Sequence, residues 1–415
     1  MKTAIVLAAA LGSALAFACT SLNDDVSPAP DAGAAREAGG AGAGGLRAFT
    51  PPADPGGGGV LFAASGEALA LTGYPFPPAS PGDVAFVDGW DVRFDRLLVT
   101  VDAITLSDDP DVQAGDPSKT GAVVAQVNGP WAIDLARADS GYLPGKGGPG
   151  EQAVPIAALA AKGDGSPFAT DGTRYAFGFD LVAATGAAMN VNVDAAGVAD
   201  YQEMIAERCA VLYVGTAKFK GDKTNAACYP ADRQGWPDEV AFRLCFQSPT
   251  SYVNCQSPDN TGTAFPNEEH QRGVAFLADK SVIAQVTVHT DHPFWDSVIH
   301  DSPLHFDQLA ARVVGQDGGV PVATLEMTKG VDYTAYTDAL GRALSWRYCV
   351  EPSADAHPKL TGPMRFDPQT VPHATGDAAS GLRDYYDFAT YDQSTQGHLN
   401  SDGLCFVRRR YPSPP

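Results

Sequence analysis

The chain has 415 residues, with 49 acidic against 28 basic side chains and a formal net charge of −21. That balance argues against a nucleic-acid binder and against docking on anionic lipid headgroups, since both need a cationic face. It fits cation binding, but its ordinary cause is plain solubility.

Met1-Lys2 places one positive charge before an uncharged apolar stretch, residues 4–18, which closes on Ala16-Phe17-Ala18. This is the layout of a secretory signal peptide over 1–18, and the run is shorter than the roughly 20 residues that cross a bilayer comfortably. Cys19 follows at once and is read as the lipid acceptor of a bacterial lipoprotein, with Ala16 standing where a lipobox usually carries Leu. Thr20 rather than Asp after it leans toward the outer membrane. Residues 19–59 are rich in Ala, Gly, Pro and Asp and bury too little apolar surface to offset their ordering entropy, so they are expected to form a disordered tether.

From residue 60 the periodic signal is strand-like. Trp90, Val92 and Phe94 alternate with polar neighbours, and the phase shifts near Arg96 before Val99, Val101 and Ala103 resume it, as a β-bulge requires. Val240, Phe242, Leu244 and Phe246 alternate with Ala241, Arg243, Cys245 and Gln247. Further strands are expected over 123–127, 175–182, 211–219 and 282–289, punctuated by Gly, Pro, Asn and Asp. Many short strands and few helical stripes predict a mostly-β chain: an antiparallel β-sandwich over 60–320 and a loop-rich C-terminal extension over 321–415. Two short helices are expected. One has Ser302 as N-cap, Pro303 at its first position and Leu304, Gln308 and Leu309 as its stripe; the other runs over 332–340 and closes at Gly341.

Apart from Cys19 there are six cysteines: Cys209, Cys228, Cys245, Cys255, Cys349 and Cys405. An even number in an exported chain points to disulfides. Nearest-neighbour pairing is the expectation: Cys209 with Cys228, Cys245 with Cys255, and Cys349 with Cys405, the last stapling the extension to the body.

Four of the eight histidines fall between residues 289 and 305. The segment reads His289-Thr-Asp291-His292-Pro293, then His300-Asp301-Ser302-Pro303-Leu304-His305. Imidazole and carboxylate are the usual ligands of zinc, copper and related ions. On the preceding strand Val282, Ala284, Val286 and Val288 share an apolar face, while His289 lies opposite with Gln285 and Thr287. Pro293 ends the strand, and a turn starting near Asp291 swings His292 beside His289. His300 or His305 is the expected third ligand. The competing reading is that these histidines bond local backbone and Asp301 caps the helix. Gly141-Tyr-Leu-Pro-Gly145-Lys146-Gly147 reads as a surface turn, since Gly147 stands where a phosphate loop needs Ser or Thr.

Thr287-Val-His289-Thr-Asp291-His292 resembles the HxHxDH signature of the metallo-β-lactamase superfamily, with Thr287 in place of its first His, and Gln396-Gly397-His398 is similar to that family's later Gly-His. The resemblance implies a metal-dependent hydrolase in which Asp291 and His292 serve one metal. A broader likeness covers residues 60–220. The order Gly89-Trp90-Asp-Val-Arg-Phe94, Trp131-Ala-Ile-Asp134-Leu135, Tyr175-Ala-Phe177-Gly-Phe179 resembles uncharacterised bacterial outer-membrane lipoproteins with a prealbumin-like sandwich. It is loosely similar to methanobactin-associated periplasmic copper-binding proteins. These likenesses imply a binding or structural role more than an enzyme.

The leading reading is therefore an exported lipoprotein, membrane-attached through Cys19, holding one divalent metal (zinc or copper) among His289, Asp291, His292, His300 and His305. Its partners would be other envelope proteins, not nucleic acid. The alternatives are a metal-free adhesion or carbohydrate-binding module with a groove lined by Trp90, Trp131 or Trp236, and a metal-dependent hydrolase.

Overall fold

The structure is a computed structural model that describes residues 45–297, 302–332, 336–350, 382 and 384–410. Strands dominate, as their alternation predicts, and form one sheet of twelve strands and one of five. The larger sheet is built on an 18-residue strand, Trp90–Ser107. It pairs antiparallel with Val211–Phe219, Trp131–Asp134, Val123–Val127 and Arg174–Leu181. The phase shift near Arg96 is a bulge: Val214 faces Arg96 and Gly215 faces Phe94, which leaves Asp95 without an opposite residue. Gly215 is required there, because a Cβ would lie 2.1 Å from the Arg93 carbonyl oxygen. On Glu239–Phe246 the residues at Val240, Phe242, Leu244 and Phe246 are the buried ones.

The smaller sheet runs Gly397–Leu399, Val282–Val288, Val60–Ser65, Gln152–Leu159, Leu143–Pro144. Every residue of Val60–Ser65 is buried. The two sheets share one core, in which Phe62 lies 6.1 Å from Phe177 between ring centroids. Both sheets are mixed. Val60–Ser65 and Val282–Val288 run parallel, as do Glu239–Phe246 and Val322–Thr324. Among the described residues no helix is long and apolar enough to cross a membrane.

Several local expectations change. Residues 45–59 belong in part to the fold, since Arg47–Ala48 pairs with Met189–Asn190. The extension over 321–415 contributes strands to both sheets through Val322–Thr324, Gly397–Leu399 and Phe406–Arg409. The cysteines pair as Cys209–Cys245, Cys228–Cys349 and Cys255–Cys405, none of them with its nearest neighbour in sequence. Sheet pairing decides this: Leu212 lies opposite Cys245, which brings nearby Cys209 to the same strand end.

The helix expected from Ser302 begins later and is only Asp307–Ala310. Leu304 is drawn instead into bridges with Phe86 and Trp295, and the distant Asp88 carboxylate accepts the amides of Phe306 and Asp307. Around 332–340 the described residues form no helix. Asp338 closes a turn by accepting the Leu340 and Arg342 amides, beside a Thr337–Ala343 bridge. Two further helices lie outside the two expected. Ala195–Glu207 buries Gly197, Tyr201 and Met204 on the larger sheet, and Tyr385–Gln393 is buried almost all round.

Candidate metal centre

Ser65 lies opposite Thr287, so the parallel strands Val60–Ser65 and Val282–Val288 end side by side. Their carboxyl ends deliver Glu67 and His289 to one place. The third strand, Gly397–Leu399, places His398 opposite Thr287, and the turn after it adds Ser401 and Asp402. Glu67, Asn400 and Ser401 all have positive φ (64°, 54° and 77°), an uncommon conformation for residues with a Cβ.

The expected turn at Asp291 is present as a single 3-10 turn, His292–Phe294, with Pro293 inside it. It brings the His292 ring to 5.4 Å from His289, while His398 lies 4.2 Å from His289. His292 stacks on Trp295 at 3.9 Å, and Trp295 Nε1 donates to Asp291 Oδ2 at 3.3 Å. Asp291 Oδ1 is buried and accepts no hydrogen bond. Donor atoms of His289, Asp291 and His292 lie within 4.8 Å of one another, and so do those of Glu67, His289 and Asp402.

The hydrogen-bond network assigns the lone pairs. His289 Nε2 lies 3.0 Å from the Ser401 carbonyl oxygen, which only accepts, so Nε2 carries the proton and a neutral ring keeps its lone pair on Nδ1. Thr395 Oγ1 donates its one proton to the Asp392 carbonyl at 2.7 Å. It must therefore accept from His292 Nδ1, also at 2.7 Å, which leaves the His292 lone pair on Nε2. Metal-ligating histidines commonly donate their other ring N–H to a protein acceptor in this way. His289 Nδ1 also lies 3.4 Å from Glu67 Oε2, so two acceptor atoms face each other. A shared proton or a cation relieves that contact.

The carboxyl of Glu67 is pushed up to about 7, by burial first, with His289 opposing and Asp291, Glu151 and Asp402 adding to it. Below the site Gln285 donates to Glu151 Oε1 at 2.7 Å and to Thr287 Oγ1 at 2.9 Å. The turn at 141–147 forms part of the wall: a Cβ on Gly147 would lie 2.4 Å from Glu151 Oε2 and 2.8 Å from Ser401 Oγ.

The other sequence-derived positions separate from this centre. His305 is fully buried elsewhere, with Nε2 3.3 Å from Asp296 and Nδ1 3.8 Å from Asp88, and it joins none of the metal-capable groups among the described residues. Its neighbour Asp307 is held by Arg347 and by Trp90 Nε1 at 2.9 Å. His300 and Asp301, like Cys19, lie outside the described residues. Thr287, at the first position of the HxHxDH pattern, accepts the Ser401 amide at 2.9 Å. Trp90, Trp131 and Trp236 are core residues, so they line no exposed groove. Glu207, Cys209 and Cys245 also cluster, but both sulfurs are in a disulfide and offer no thiolate.

Glu67 and Asp402 were not singled out by the sequence. The one local hint is that Glu67 follows the apolar run 60–64 as His289 follows its own strand. A scan of protein-family models, a search of curated proteins and a search of solved structures found no match to this chain.

Proposed function

We propose that this chain is an exported envelope lipoprotein that binds one divalent transition metal at the carboxyl ends of its parallel strand pair, with His289 as the central ligand. The observation that carries the reading is the convergence of His289, Asp291 and His292, whose donor atoms lie within 4.8 Å of one another, one nitrogen of each imidazole being oriented by a hydrogen bond to the protein. Imidazole with carboxylate and no thiolate suits zinc or a neighbouring first-row ion more than a thiolate-selective one. Asp291 and Glu67 are half-buried and Asp402 is exposed, so the centre adjoins solvent. Export is supported by the leader at 1–18, by Cys19, and by three cysteine pairs of the kind that persist in oxidising compartments.

Elemental analysis of the purified full chain tests the metal. About one zinc or related ion per chain is expected, and none in the His289→Ala/His292→Ala variant. A metal-free wild type after incubation with zinc and copper would overturn the reading.

A further inference from the structure

His289 belongs to two groups. The inner one, with Asp291 and His292, is buried at both imidazoles; the outer one, with Glu67 and Asp402, ends in an exposed carboxylate. The proton on His289 Nε2 is given to the Ser401 carbonyl, so a neutral ring has a single lone pair. One lone pair serves one ion at a time. The two groups are therefore alternative positions for a single cation and not a two-ion centre.

Building on the metal reading above, we propose that Glu67, His289 and Asp402 form an outer landing position from which a divalent cation passes to the inner one, exchanging two carboxylates for Asp291 and His292 while His289 stays bound. Passage by ligand exchange spares the ion an uncoordinated state in a partly buried site, where an isolated charge is costly. The outer ligands are a half-buried and an exposed oxygen, suited to capturing a hydrated ion. The inner set adds a second imidazole held by Thr395 and stacked on Trp295, which suits retention. An outer position on the path changes uptake and release together and leaves the final affinity unaltered; an inner ligand sets that affinity.

The test is zinc uptake from a buffered solution and zinc release to a chelator, by stopped flow, for the full chain and two variants. The wild type is expected to bind one zinc. Asp402→Asn, which keeps the oxygen that accepts from Ser401 Oγ, should slow uptake and release alike by about tenfold and leave Kd within about threefold. That deficit should persist at about 0.5 M salt, where simple steering by an exposed charge is screened. His292→Ala should weaken Kd by about tenfold or more with uptake retained. Two zinc ions per wild-type chain, unchanged kinetics in Asp402→Asn, or a deficit that vanishes in salt would each overturn the landing position while leaving the metal site standing. No zinc in the wild type would remove both.

Discussion

At the scale of single residues, the two histidine environments show how neighbours divide one residue type between roles. His289 and His292 each touch a protein acceptor through one nitrogen, and His289 faces the Glu67 carboxylate through the other. His305 is enclosed by carboxylates on both sides: burial works against its charged form, but the Asp296 hydrogen bond and the charges of Asp296, Asp88 and Asp307 raise its pKa overall. Asp88 is raised to about 7, by burial first and then by Asp307, with His305 and the two backbone amides opposing. A carboxyl whose folded value lies above its unfolded one holds its proton more tightly in the native state. Its contribution is complete below 3.8 and is lost as pH rises through about 7. Urea unfolding across that window should therefore show a decline in wild-type stability that is shallower in Asp88→Asn. Parallel profiles would mean that Asp88 does not take up a proton in the native chain.

At the scale of elements, end signals decide more than propensity. The helix Ala195–Glu207 starts at Asp194, whose carboxylate accepts the Gly197 amide at 2.7 Å. That bond holds the Asp194 carboxyl below its ordinary 3.8 against the opposing effect of burial, with the charges of Arg96 and Arg137 adding to it. Asp194→Ala should cost about 1 kcal/mol in chemical denaturation at neutral pH, and Asp194→Asn, which still caps, a smaller part of it. Since the folded value is depressed, the carboxylate's contribution is present above 3.8 and fades as pH falls through the lower folded value, so the Ala deficit should shrink there. A deficit equal in Ala and Asn would show that Asp194 acts through its ion pairs with Arg96 and Arg137. The short helix at Asp307–Ala310 carries the opposite lesson. Ser302 and Pro303 look like a start signal in sequence, but Asp88, over two hundred positions away, supplies the acceptor that begins the helix.

At the scale of the whole molecule, the disulfides join distant parts of the chain. Cys228–Cys349 and Cys255–Cys405 span 121 and 150 positions and tie the C-terminal part of the chain to the loops that follow Val211–Phe219 and Thr250–Val253. If the export proposal holds, the protein is recovered with the membranes of its native cells, and non-reducing peptide mapping should yield Cys209–Cys245, Cys228–Cys349, Cys255–Cys405 and a lipid-modified Cys19. Recovery from the cytosol with six free thiols would remove the export reading, and nearest-neighbour bonds would contradict the fold.

Strand positions, the bulge beside Arg96 and the approach of His292 to His289 were legible in the sequence because each is written in residues a few places apart: a period of two, its break, and a proline after a strand. The second helix was misread because its turn depends on Asp338 accepting two amides, which propensity does not encode. Cysteine pairing, the parallel register of Val60–Ser65 with Val282–Val288, and the recruitment of Glu67 and Asp402 to His289 were decided only in three dimensions. Ser401 and Glu67 are 334 positions apart, and no local pattern specifies which strand ends will meet. The chain by itself determined which segments become strands and that His292 turns back on His289; strand pairing within the smaller sheet determined that His398, Glu67 and Asp402 would join them and that His305 would not.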